Sequence, residues 1–133
     1  MRQRGLTFAP KLAAPALTYD SSNVFARILR GEIPAQVLHE DERCLVFRDA
    51  MPVAPTHFLV IPKHPVARLI DATPADAALL GHLLLVAGKV AKDLGVADDG
   101  FRVVVNNGAG AGQTVFHLHV HVLAGRAMEW PPG

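Results

Sequence analysis

Cysteine is almost absent from this 133-residue chain: Cys44 stands alone, so no internal disulfide can form and the fold must rest on its core, with or without a partner subunit. A lone thiol suits a reducing, cytoplasmic setting. An excess of one charge sign is also missing. Thirteen Lys+Arg face twelve Asp+Glu, a formal charge of +1, which argues against a basic nucleic-acid-binding face or an acidic tail. Long apolar runs are missing too. The longest, Leu83 to Ala87, falls far short of the roughly 20 residues that cross a bilayer, so no membrane segment is expected. With 50% hydrophobic and 19% charged residues, the composition is that of a globular chain, and one domain is the natural count.

Residues 1–20 carry Arg2, Arg4 and Lys11 with no acid before Asp20, and read as a basic, flexible leader. If that leader is a transit peptide, the destination is mitochondrial. The domain proper is expected over residues 21–133. Ser21-Ser22-Asn23 supplies N-cap types, Phe25, Ile28 and Leu29 follow at helical spacing, and Gly31 is a stop, which predicts a short amphipathic helix. Strand patterns over Gln36–His39 and Cys44–Arg48 flank a charged turn and predict a hairpin, and a third strand runs from His57 to Ile61. Thr73-Pro74 and Gly95 bracket a long helix whose polar residues, His82, Lys89, Lys92 and Asp93, share one narrow arc. The wide apolar remainder, with Gly81 and Gly88 on one face, fits either a plain core helix or one that also meets another backbone. Two further strands, Phe101–Asn106 and Phe116–Leu123, are joined by a glycine-rich loop.

The informative stretch is His117-Leu118-His119-Val120-His121-Val122. Its alternation is strand period, which predicts three imidazoles on one face and three aliphatic side chains on the other. A zinc site built on one regular strand is strained, because the outer pair of histidines would lie about 13 Å apart. A two-histidine metal site would need help from His57, His64 or Asp49. Nucleophilic catalysis is the other reading: a neutral imidazole attacks phosphorus when one nitrogen is free and the other keeps its proton on an acceptor. His57 is a candidate fourth histidine. Upstream, Asn106-Asn107-Gly108-Ala109-Gly110-Ala111-Gly112-Gln113-Thr114 reads either as a mobile loop or as a device that turns backbone N–H groups toward one phosphate. Neither a Walker loop nor a Rossmann fingerprint is present. Asp49 could accept ribose hydroxyls, and Phe25, Ile28 and Phe47 could enclose a base.

His117-Leu118-His119-Val120-His121-Val122-Leu123 resembles the signature of the histidine triad superfamily. Ala54-Pro55-Thr56-His57-Phe58-Leu59-Val60-Ile61-Pro62, Gly112-Gln113 and the terminal Trp130-Pro131-Pro132-Gly133 resemble its nucleotide-binding branch. The similarity runs from Asn23 to Gly133. It implies an α+β fold, a five-stranded antiparallel sheet with two helices, and a homodimer with a continuous ten-stranded sheet. It implies hydrolysis of purine nucleoside phosphoramidates and acyl-nucleotides (AMP or GMP conjugates) through a nucleotidyl-histidine intermediate, with His119 as nucleophile and no metal or other cofactor. His117 and His121 are then expected to support the reacting phosphate, His57 to line the site, Asp49 to bind ribose, and Asn106, Gly112, Gln113 and Thr114 to surround the phosphate. Thr114 replaces a usual serine, and Ala50 stands where a larger aliphatic commonly encloses the base. The alternatives are a dinucleoside polyphosphate hydrolase of the same superfamily and a nucleotide-binding interaction protein with incidental catalysis.

Overall fold

Two apolar sets that alternate along the same strands give the sheet two buried faces. The computed structural model describes residues 17–133. In chain order its elements are α1 (Val24–Leu29), β1 (Val37–Glu40), β2 (Cys44–Arg48), β3 (Thr56–Pro62), α2 (Ala77–Asp93), β4 (Phe101–Val104) and β5 (Val120–Ala124). The strands form one antiparallel sheet in the order β1-β2-β3-β5-β4. Cys44, Val46, Phe58, Val60, Val120 and Val122 point to one side, where they pack on Leu83, Val86, Ala87, Val90 and Ala91 of α2. Leu45, Phe47, Leu59 and Ile61 point to the other, where Phe25 of α1 joins them. Strand periodicity thus assigns α2 to one face and α1 to the other.

The helix boundaries follow their local chemistry. Asn23 caps α1 by accepting the Ala26 N–H at 2.9 Å, and Gly31 leaves it at φ +76°. Pro74 opens not α2 itself but a 3₁₀ turn, Pro74–Asp76, in which Asp76 accepts the Thr73 N–H. Gly95, at φ +75°, closes α2. By length and composition alone the stretch Pro74–Asp93, of mean hydropathy 1.3, would span a bilayer. A count of uninterrupted apolar runs does not register this, because isolated polar residues break the runs. The side of the helix away from the sheet exposes Leu84 and Leu85, and a Cβ at Gly81 or Gly88 would meet open space.

The last strand departs from its expected span. It begins at Val120, so His117 and His119 precede it in an irregular segment that is pinned by the Leu118 N–H on the Val66 carbonyl at 2.7 Å. The three histidines therefore do not share one strand face. Of the expected leader, residues 1–16 lie outside the described residues, and Tyr19 packs against His117.

Candidate active site

His57 of β3 and His121 of β5 lie on the α1 side of the sheet, on neighbouring strands whose register pairs His57 with Leu123 and Leu59 with His121. That diagonal brings the two rings together, His57 Nε2 to His121 Nδ1, at 3.0 Å. The Val53 main-chain N–H donates to His57 Nδ1 at 3.1 Å. Since an N–H can only donate, His57 Nδ1 is the acceptor and the proton of the neutral ring sits on Nε2. That proton is shared between His121 Nδ1 and Asp49 Oδ2, which lies 3.3 Å away. His121 Nδ1 is then itself an acceptor, which leaves the His121 proton on Nε2. One backbone amide fixes two tautomers in series.

His119 is fixed from the other direction. Its Nδ1 donates to the His117 carbonyl at 2.8 Å, so Nδ1 carries the proton and Nε2 keeps a free lone pair. The edge of Phe25 packs against the His119 ring with centroids 4.9 Å apart, and Phe25 in turn packs on Phe47. His119 and His121 stand ring edge to ring face, also 4.9 Å apart. Burial is the first cause that holds His57, His117 and His119 below the usual imidazole range. In His121 burial, followed by the neighbouring His119 and His57 rings, pushes the value down to about 4 against an opposing pull from Asp49. At neutral pH all four imidazoles are neutral, the form that is nucleophilic.

These groups open into a cleft of about 790 Å³ lined by Phe25, Ile28, Phe47, Asp49, Ala50, His57, Asn106, Thr114, His119 and His121, all of them singled out from sequence. Its other walls include Val24, Ile33, Met51, Val104 and Leu123. Asp49 accepts the Met51 N–H on Oδ1 and faces His57 with Oδ2, which leaves lone pairs on both oxygens for a ligand. Asp49, His57 and His121 also bring ligand atoms within 4.8 Å of one another, the one group at the cleft able to hold a metal among the described residues. A metal there would have to displace the His57–His121 hydrogen bond.

Three expected site residues lie elsewhere. His117 is buried behind His119, its Nδ1 2.6 Å from the Tyr19 hydroxyl and its Nε2 2.8 Å from the Pro62 carbonyl. Because the carbonyl can only accept, His117 donates from Nε2 and takes the tyrosine proton on Nδ1. Both nitrogens are engaged, so His117 positions His119 rather than touching a phosphate. Gln113 is likewise buried, donating to the Ala67 and Val115 carbonyls and accepting the Gly108 N–H. The amides of Ala111, Gly112 and Gln113 bond to carbonyls of Gly108 and Ala109 within the same turn. These groups shape the loop instead of presenting N–H donors to an anion, and of its tail Thr114 reaches the cleft. Sequence reasoning missed Val53 and Tyr19. Val53 acts through its main chain, which no side-chain pattern marks, whereas Tyr19 is the only tyrosine in the chain and that rarity was available as a signal.

The HIT domain family model matches residues 30–128, the span that contains the sheet, α2, the three cleft histidines and His117. The chain belongs to the HIT family. A HIT-like protein of Synechocystis is 59% identical over 110 residues, which cover 83% of this chain and 96% of that protein. Among solved HIT structures, a HIT family hydrolase from Legionella pneumophila is 46% identical with a TM-score of 0.82, over 84% of this chain and all of the other. A histidine triad protein from Clostridium difficile is 41% identical with a TM-score of 0.80, over 84% and 97% of the two chains. A histidine triad nucleotide-binding protein from Candida albicans is 36% identical with a TM-score of 0.70, over 83% of each. Membership in the HIT family accounts for the five-stranded antiparallel sheet and its two helices.

Proposed function

We propose that this chain is a nucleotide hydrolase that cleaves purine nucleoside phosphoramidates and acyl-nucleotides through a covalent intermediate on His119. The observation that carries the reading is the pair of fixed tautomers: His119 offers a lone pair at Nε2, and His121, 4.9 Å away, offers a proton at Nε2. The relatives named as a HIT family hydrolase and as a histidine triad nucleotide-binding protein support the coarser reading, a nucleotide hydrolase. His119 Nε2 attacks phosphorus, the P–N bond breaks, and the amine departs with a proton taken up from water. His121 Nε2–H hydrogen-bonds a phosphate oxygen as charge builds there. Water then attacks the nucleotidyl-imidazole, and the nucleoside monophosphate leaves while His119 returns to its neutral form. In this reading Asp49 accepts ribose hydroxyls, and Ile28, Phe47 and Ala50, which line the cleft, form the apolar wall for the base.

The test is a product screen over adenosine and guanosine phosphoramidates, acyl-adenylates and diadenosine polyphosphates, run with and without EDTA. The phosphoramidates are expected to turn over fastest, with the rate unchanged by the chelator. Preference for a dinucleoside polyphosphate, or loss of the rate in EDTA with recovery on adding zinc, overturns the assignment.

A further inference from the structure

A second cluster of ligating side chains lies on the α2 face of the sheet, opposite the cleft. His39 leaves β1, Asp41 sits in the β1–β2 turn, Cys44 begins β2, and His82 descends from α2. All converge on one carboxylate oxygen: Asp41 Oδ2 lies 2.9 Å from His39 Nε2, 2.8 Å from His82 Nε2 and 3.4 Å from Cys44 Sγ. The mechanism uses none of them.

We propose that His39, Asp41, Cys44 and His82 bind one zinc-class divalent cation that cross-links the β1–β2 hairpin to α2. Two imidazole nitrogens, one carboxylate oxygen and one thiolate sulfur match the ligand types and the number that tetrahedral Zn²⁺ takes. In such a shell the bonds run from about 2.0 to 2.3 Å, so neighbouring ligand atoms lie about 3.3–3.7 Å apart. The ligand atoms of His39, Asp41 and Cys44 already fall within 4.8 Å of one another. With Oδ2 rotated aside and the ion seated in its place, the two imidazoles and the thiol each close in by about an ångström, which brings His82, outside that group of three, into the shell. The carboxylate is held for this: its other oxygen accepts the N–H groups of Arg43 at 2.8 Å and Cys44 at 2.9 Å, the outer support typical of ligating carboxylates. His39, Asp41 and His82 are each about one-fifth to one-quarter exposed (21%, 20% and 27%), which gives an ion a way in, while buried Cys44 forms the floor.

The protonation states balance. Without metal, three donors share one acceptor oxygen, a crowded arrangement that the ion replaces. Both imidazoles move their protons from Nε2 to Nδ1 and stay neutral. The thiol, which burial and then Asp41 hold up at about 12, gives its proton to solvent as the sulfur–metal bond forms. One proton leaves per ion bound. The cluster stands apart from the cleft, so this inference does not depend on the proposed reaction.

Titrating Co²⁺ into the reduced full-length protein tests it, because a thiolate ligand gives a near-ultraviolet charge-transfer band and a tetrahedral shell gives intense visible bands. One equivalent is expected to develop both, and Zn²⁺ to bleach them. Cys44→Ser is expected to abolish the charge-transfer band. His82→Ala changes a partly exposed helix residue outside the core, and is expected to weaken Co²⁺ binding by more than about tenfold. The His57→Ala/His121→Ala double variant, which removes the ligand group in the cleft, is expected to leave the band in place. Absence of a thiolate band in the unaltered protein, or a band that survives both Cys44→Ser and His82→Ala, overturns the proposal.

Discussion

His119 has one nitrogen committed and one free, and what commits it is a carbonyl of its own chain rather than a carboxylate. A peptide carbonyl holds the tautomer without raising the basicity of the ring as a full negative charge would, so the ring stays neutral in its buried setting. The segment that presents this carbonyl is held in turn by His117 between the Tyr19 hydroxyl and the Pro62 carbonyl. Tyr19→Phe keeps the ring and removes the hydroxyl, leaving His117 Nδ1 without its donor and Asn23 without one of its acceptors. The loss expected is about 1–3 kcal/mol in unfolding free energy, read from urea denaturation. The accompanying fall in kcat should be smaller than about tenfold, since His119 bonds to the main chain of His117 and not to its ring. An unchanged stability would show that the tyrosine contact contributes nothing.

Elements whose identity rests on periodicity and caps were legible in the chain. Asn23 and Gly31 frame α1, Gly95 ends α2, and β2 spans Cys44–Arg48 as its pattern predicts. The polar arc of α2 was legible as an arc but not for its use, because His82 finds its partner Asp41 across the fold. Where the chain leaves regular structure, the pattern misled: alternation across His117–Val122 reads as one strand, yet the Leu118–Val66 bond holds its first half out of the sheet. The glycine loop misled similarly, since permissive glycines do not reveal that Gln113 draws the amide of Gly108 inward. Gathering buried histidines near the end of β5 also has a cost in acid. His57, His117, His119 and His121 all sit below the ordinary 6.5 in the folded chain, so the unfolded chain binds more protons as pH falls through 6.5. Their contribution to stability is complete above that value and declines from there toward the folded value of His121, about 4. Urea midpoints should therefore drop steadily from pH 7 to pH 5, and a midpoint that holds or rises over that range contradicts the assigned protonation states.

At the scale of the molecule, two features look outward. The far side of α2 carries Leu84 and Leu85 beside open positions at Gly81 and Gly88, and among the described residues β4 is an edge strand paired only with β5. Both fit a two-fold homodimer in which one patch serves each chain and the sheets join into ten strands. Trp130 is 82% exposed, with the Arg102 guanidinium 6.0 Å from its ring, and is therefore free to meet a neighbouring subunit's cleft. Light scattering at micromolar concentration should give twice the chain mass, and deleting residues 127–133 should re-rank substrates that differ only in their amine while leaving that mass pattern intact. A monomer, or an unchanged ranking, removes the shared-site reading. The central claim, that His119 Nε2 is the nucleophile, meets its most direct test in quenching the protein during turnover of an adenosine phosphoramidate and mapping the acid-labile adduct by mass spectrometry and phosphorus NMR. The expected result is one adenylyl group on Nε2 of His119, absent from His119→Ala. An adduct on His57 or His121, or one joined through Nδ1, would contradict it.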